Sequence, residues 1–312
     1  MNRRKFIQKG ALTGSLFTLG GSMMASEMIL PKKNLITAKA QPFHLKYAPH
    51  DGMFKANAGV NILSQLDFMA SQGFTAFEDN EMRNRSIEEQ NAIASKMEEL
   101  GMEMGVFVAH KIYWNEPNLT SGKKELRDEF LQGIKDSVEV AKRVNAKWMT
   151  VVPGFVDLRL DPDFQTAHVE EALKRACDIL EPHGLVMVLE PLNFRDHPGL
   201  FLTDAPQAYQ ICKAVDSPSC KILFDVYHQQ IQMGNLIPNI ESCWDEIAYF
   251  QVGDNPGRKE PTTGEINYQN VFKYLYQKGF QGIVGMEHGN SLPGKEGELA
   301  VIEAYKKVDD FK

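Results

Sequence analysis

Eight short apolar runs punctuate this chain, and their alternation with helical stretches is what most limits how it can fold. The runs lie near residues 44–48, 74–78 (FTAFE), 104–109 (MGVFVA), 147–152 (KWMTVV), 185–190 (LVMVLE), 221–225 (KILFD), 247–252 (IAYFQV) and 282–287 (GIVGME). Each is short and apolar enough to be a strand buried on both faces. Between them, apolar residues recur at helical spacing. The stretch SIEEQNAIASKMEEL opens with Ser86, carries Glu89 three residues on as a capping box, and stops at Gly101. ELRDEFLQGIKDSVEVAKRV and TAHVEEALKRACDILEPHG follow the same pattern. Strand, helix, strand at intervals of roughly 25 to 40 residues describes βα units on a parallel sheet. Eight such units predict a single α/β domain over residues 43–312, a closed (β/α)8 TIM barrel rather than an open doubly wound sheet. No glycine-rich phosphate loop opens any of the helices, which argues against nucleotide binding.

The amino terminus is different in kind. MNRRKFIQKGALTGSLFTLGGSMMAS has a basic start and then an apolar stretch from Ala11 to about Ala25, rich in Gly, Ser and Thr. It reads as an export signal over residues 1–26, too short for a comfortable membrane span. Arg3-Arg4 followed by Lys5-Phe6-Ile7 resembles a twin-arginine signal, which exports proteins already folded. A chain that folds before export can take up its metal inside the cell. Residues 27–42 then read as a tether, and the expected location is the periplasm. An ordinary secretory signal and a retained anchor are the alternatives.

Composition trims the list of functions. A net charge of −7 argues against nucleic acid as a partner, since a phosphate binder shows a basic face. Eight histidines scattered through an acidic chain do not suit a zinc-dependent nuclease barrel either. The cysteines Cys177, Cys212, Cys220 and Cys243 contain no CxxC pair and read as buried free thiols. Cys212–Cys220 is the one pair an oxidising compartment could bridge. The sequence leaves room for a homo-oligomer without specifying one.

In a barrel of this kind the chemistry sits at the carboxyl-terminal ends of the strands. The last four runs each finish in an oxygen-bearing side chain: Glu190, Asp225, Gln251 and Glu287. Neighbouring strands lie about 4.8 Å apart, so inward-pointing groups from consecutive ends can converge. Three carboxylates together without a cation would repel one another and lose their hydration. A divalent ion removes that conflict, and an all-oxygen set with one neutral amide favours Mg²⁺ or Mn²⁺ over zinc. The candidate substrate-binding set lies nearby. His228 follows Asp225 by three residues, and Arg258 stands in a long polar loop after the seventh run, where its planar fork suits a carboxylate or phosphate. Asn193 and His288 border two proposed ligands and are expected to support them. Glu78 ends the second run and His110 follows the third, both as pocket-wall candidates. Trp114 and the segment HPGLFLTD are candidate covers, the latter as a lid.

At these residues the sequence resembles the hydroxypyruvate isomerase branch of the xylose isomerase-like sugar isomerase/epimerase barrels. The stretches LEPLNFRDHPGLFLTD, SPSCKILFDVYHQQ and FQVGDNPGRKEPTTGEINY carry the resemblance. It covers most of the chain from about residue 45 on and is densest from 185 to 290. It implies a divalent metal on Glu190, Asp225, Gln251 and Glu287, with Glu190 and Glu287 doubling as the catalytic acid/base pair. It also implies that His228 and Arg258 contact substrate. The export signal departs from a cytoplasmic metabolic isomerase, and HGNSLPGKEGE after Glu287 lacks the tyrosine expected there.

The chemistry this implies is proton transfer beside a carbonyl. One carboxylate removes a C–H proton from an α-hydroxycarbonyl compound, and the other returns it to the neighbouring carbon or to the opposite face. Three outcomes stay open. The first is isomerisation of hydroxypyruvate to tartronate semialdehyde, with Arg258 on the carboxylate. The second is epimerisation of a ketose, or elimination from a 3-keto sugar, in an exported compartment. The third is a non-catalytic carbohydrate-binding barrel.

Overall fold

The protein is described by a computed structural model covering residues 43–311. The signal and tether read from residues 1–42 lie outside the described residues. Within them, eight parallel strands fall on or beside the apolar runs: β1 Lys46–Ala48, β2 Ala76–Phe77, β3 Glu103–Met104, β4 Trp148–Val151, β5 Val186–Leu189, β6 Cys220–Asp225, β7 Ile247–Gln251 and β8 Ile283–Gly285. Six of them pair in the order β1-β8-β7-β6-β5-β4, and β2 pairs with β3. Two bridges complete the ring. His50 meets Glu78, whose N–H donates to the Pro49 carbonyl at 3.0 Å. Val108 meets Thr150, whose N–H donates to the Phe107 carbonyl at 2.8 Å.

Period-two alternation sorts the strand side chains into two layers. One cluster holds Ala48, Ala76, Val106, Trp148, Val186, Val188, Leu223, Tyr249 and Ile283, drawn from every part of the ring, and it fills the barrel. Their neighbours Met187, Leu189, Ile222, Phe224, Phe250 and Val284 belong to the second cluster, packed with the helices. Filling of this kind makes the barrel a core and not a pore. Truncating fully buried Leu223 to Ala would cost about 2–5 kcal/mol.

The helices begin and end on local signals. Helix Ile87–Leu100 has its capping box, with Ser86 Oγ accepting from the Glu89 N–H and Glu89 reaching back, and ends at Gly101 with φ 67°. That left-handed conformation suits glycine. Helix Pro162–Leu180 starts four residues before the periodic stretch beginning at Thr166, because Pro162 occupies its first position after Asp161. Helix Val226–Gln232 starts directly off β6, with Asp225 as its N-cap. All four cysteines are free and buried, and the Cys212 and Cys220 sulfurs stand 4.0 Å apart.

Candidate active site

The site follows from the same alternation. Counting two residues beyond the barrel-filling layer gives Glu78 after Ala76, Glu190 after Val188, Asp225 after Leu223 and Gln251 after Tyr249, with Glu287 four beyond Ile283. Oxygen and nitrogen atoms of Glu190, Asp225, His228 and Glu287 lie within 4.8 Å of one another. Gln251 sits beside Asp225 in strand register, so both project to the same face. Glu190, Asp225 and Gln251 are buried, and Glu287 is partly so.

Each group is held by specific contacts. Asp225 Oδ1 accepts the Tyr227 N–H at 2.8 Å, while Oδ2 is buried with no hydrogen-bond partner among the described residues. The Gln251 amide donates through Nε2 to Glu78 Oε1 at 2.7 Å, and its buried Oε1 is likewise unpartnered. Glu287 accepts from Asn80 Nδ2 at 3.0 Å and from Arg258 Nη2 at 2.6 Å. Arg258 also stands 3.6 Å from Asp225 Oδ2, and its guanidinium lies 5.0 Å from the Tyr227 ring centre. Its loop is pinned through Asp254, which accepts the Gly264 and Ile266 N–H groups, and through Glu260, which accepts the Ser291 N–H.

The hydrogen-bond network assigns the His228 tautomer. The backbone N–H and the side-chain amide of Asn193 approach Nδ1 at 3.3 and 2.6 Å. Asn193 Oδ1 is already taken by the N–H groups of Arg195 and Asp196, which fixes the amide with its nitrogen toward the ring. Two donors at Nδ1, one at 2.6 Å, outweigh the single Arg258 Nη2 donor that stands 3.3 Å from Nε2, so Nδ1 accepts and the ring hydrogen falls on Nε2, 3.5 Å from Asp225 Oδ2 and 3.9 Å from Glu190 Oε1. A nitrogen carrying hydrogen has no lone pair for a metal, so His228 faces the cluster as a donor. Burial and the Arg258 charge push its imidazole down to about 3.

Electrostatics show what the cluster lacks. Burial first, then Glu287 and Asp225, hold the Glu190 carboxyl well above the usual range. Burial also raises Asp225, against the relief Arg258 gives. Burial and Glu287 push Glu78 up to about 8. One arginine is too little positive charge for this group of acids. Two unbonded buried oxygens on neighbouring strand ends, among crowded carboxylates, fit a hard divalent cation held by Glu190, Asp225, Gln251 and Glu287.

Other candidates lie further out. His110 is not brought into the cluster: its buried ring engages the Lys111 carbonyl through Nδ1 and the Val152 N–H through Nε2, and packs edge-on against Phe130. Asn193 orients His228 through its Nδ1. Glu78 is 1% exposed, and both its oxygens are occupied, by Gln251 and by Tyr249 at 2.8 Å. His288 engages the Tyr305 hydroxyl at 2.9 Å. Trp114 stacks on His197 at 5.3 Å, next to His228. The segment HPGLFLTD is tied to its neighbours: the Gly154 and Leu202 carbonyls accept from Phe201 and Leu192, and Val156 donates to Gly199. Sequence reasoning missed Asn80 and Tyr249. Asn80 is in phase with Glu78 at a spacing of two, a signal that was available; Tyr249 is hidden as an ordinary aromatic in an apolar run. A cavity of about 500 Å³ continues from Glu287 and Arg258 past Asn80 to Arg85, and Glu78 and His288 stand in its wall.

Known proteins share this design. The family model for the xylose isomerase-like TIM barrel matches residues 66–308. A putative hydroxypyruvate isomerase from Xenopus laevis is 34% identical over 193 residues, 59% of this chain and 69% of that protein. The hydroxypyruvate isomerase of Escherichia coli (strain K12) is 32% identical over 161 residues; the match covers 52% of this chain and 62% of that enzyme, under two thirds of its length. A crystal structure from Brucella melitensis, described as an AP endonuclease of family 2, superposes with a TM-score of 0.73 at 25% identity, over 84% of this chain and 99% of that one. On its fold, its strand-end cluster and these matches, the chain belongs to the xylose isomerase-like TIM barrel family, in its hydroxypyruvate isomerase branch.

Proposed function

We propose that this protein is a metal-dependent isomerase that shifts a proton between neighbouring carbons of a small hydroxycarbonyl acid, converting hydroxypyruvate to tartronate semialdehyde. The observation that carries this reading is the meeting of Glu190 and Glu287, from the ends of β5 and β8, in one cluster with Asp225 and His228. Glu190, Asp225, Gln251 and Glu287 would hold Mg²⁺ or Mn²⁺. When bound, the ion supplies positive charge that stabilises negative charge developing on the substrate oxygens. Glu190, acting as the carboxylate, takes the proton from the hydroxyl-bearing carbon, leaving an enediolate. Glu287 delivers a proton to the adjacent carbon, and the hydroxyl proton moves to the other oxygen, so that ketone and alcohol exchange places. His228 donates through Nε2 to a substrate oxygen. Arg258 exchanges part of its contact with Glu287 for the substrate carboxylate, a bidentate match for its fork.

A second reading keeps the same pair and acts on a longer keto sugar, by epimerisation or elimination. The cavity of about 500 Å³ beyond Glu287 favours it, being far larger than three carbons need. Hydrogen exchange followed by NMR in D₂O, with Mn²⁺ or Mg²⁺, on hydroxypyruvate and on keto sugars separates the two. Exchange on hydroxypyruvate alone supports the first reading, exchange on keto sugars alone supports the second, and exchange on neither leaves a binding barrel without catalysis. Export to the periplasm remains part of the proposal on the strength of Arg3-Arg4. Loss of export in Arg3→Lys/Arg4→Lys, read by cell fractionation, tests it.

A further inference from the structure

A glutamine amide has two ends of nearly equal shape and opposite chemistry. Only its oxygen can ligate a cation, yet among carboxylates its nitrogen is the end that bonds readily. Left to itself beside Asp225, Gln251 would turn its NH₂ toward the acids and present the wrong end to a metal. In this structure that does not happen, because Nε2 is drawn the other way, onto Glu78 Oε1 at 2.7 Å. Glu78 Oε1 is the acceptor in this bond, and an acceptor selects the NH₂ end. The other Glu78 oxygen accepts from the Tyr249 hydroxyl at 2.8 Å, which stops the carboxyl from rotating.

The surrounding backbone is shaped to admit this pair. A Cβ on Gly285, the register partner of Gln251, would stand 2.0 Å from Glu78 Oε2 and 3.0 Å from Gln251 Cγ. A Cβ on Gly105 would stand 2.4 Å from the Tyr249 hydroxyl. Two glycines, one in β8 and one just after β3, thus leave space for an acid buried beneath a site already crowded with acids, a costly placement without a specific task. We propose that Glu78, braced by Tyr249, is the positioning residue that turns the Gln251 carbonyl oxygen toward the cation. This rests on the reading that Glu190, Asp225, Gln251 and Glu287 hold that cation, and it adds a residue outside that ligand set.

The test is Mn²⁺ affinity of the full chain, read from the free-ion electron paramagnetic resonance signal with no substrate present. Glu78→Met should weaken binding by about 10- to 100-fold, the usual cost of removing an outer support of a metal ligand. Gly285→Ala should do the same while leaving every oxygen ligand and Glu78 in the sequence. The exchange variant Glu78→Gln/Gln251→Glu reverses the hydrogen bond: the amide at 78 donates to the carboxylate at 251, and the Tyr249 hydroxyl keeps an acceptor. It should bind Mn²⁺ within about tenfold of wild type, a recovery that a merely structural role for Glu78 does not produce. Folded Glu78→Met with wild-type affinity overturns the proposal, and so does an exchange variant as weak as Glu78→Met. If Glu78→Met does not fold, Gly285→Ala and the exchange variant decide in the same way. Wild-type protein that binds no Mn²⁺ overturns the four-oxygen reading itself, a failure visible before any variant is made.

Discussion

From β5 to β8 the barrel is a continuous ladder of strands three to six residues long, whereas β2 and β3 are two residues each and join the ring through a bridge on either side. The long arc carries all four proposed ligands. On it, Asp225, Gln251 and Gly285 are register partners, and backbone pairing sets where the oxygens stand. The short arc supplies no ligand. It sends Glu78 to Gln251 and Asn80 to Glu287, and it holds His110 against β4. Ligand positions need a backbone that does not move, and the long arc has the hydrogen bonds to provide it. Groups that only orient a ligand can come from shorter strands, because packing around their side chains fixes them.

The largest expected effects fall on the long arc. Glu190→Gln or Glu287→Gln should slow substrate hydrogen exchange by about 10²–10⁴-fold with the melting temperature kept, whereas Asn80→Ala should lose about tenfold. NMR exchange rates on all three variants check this, and equal losses would erase the distinction between the arcs. A stability effect comes next, on the short arc. Burial holds His110 down at about 4 against an ordinary 6.5, so the folded protein resists its protonation. Its contribution is fully present above about pH 6.5 and is lost as pH falls through about 4, on the order of 3 kcal/mol. Urea unfolding across that range should show the decline, and His110→Asn should flatten it.

Cation binding returns to the long arc. Mn²⁺ at a hundred times its dissociation constant should stabilise the protein by about 2.7 kcal/mol, seen as a higher calorimetric melting temperature that chelation abolishes. Smallest is the cap of the helix that follows β2. Ser86→Ala should cost about 1 kcal/mol in urea unfolding and leave Mn²⁺ affinity unchanged. A change in affinity there would mean that the short arc moves the ligands after all.

The same contrast governs how much could be read from sequence. Glu190, Asp225, Gln251 and Glu287 stand out because each ends an apolar run with a polar group, and the strand period alone sends them inward. Glu78 carries the same mark, but its partner Gln251 is 173 positions away, so its task was invisible. His110 lines a cavity beside Asn80 and Trp114, outside the acid cluster, and only the fold reveals that its hydrogen-bond partners are backbone groups. His228 was placed near Asp225 correctly, although the helix turn that brings it there depends on Asp225 serving as a cap.

Sequence by itself determined the eightfold alternation, the helix caps at Ser86 and Gly101, and which side chains stand at the strand ends, because these depend on neighbours a few residues apart. Tertiary structure alone decided that the ring closes through His50–Glu78 and Val108–Thr150, that Nε2 of His228 carries the hydrogen, and that the Gln251 oxygen is left unbonded. Those outcomes are set by partners brought together across the barrel, and local periodicity carries no information about which ones meet.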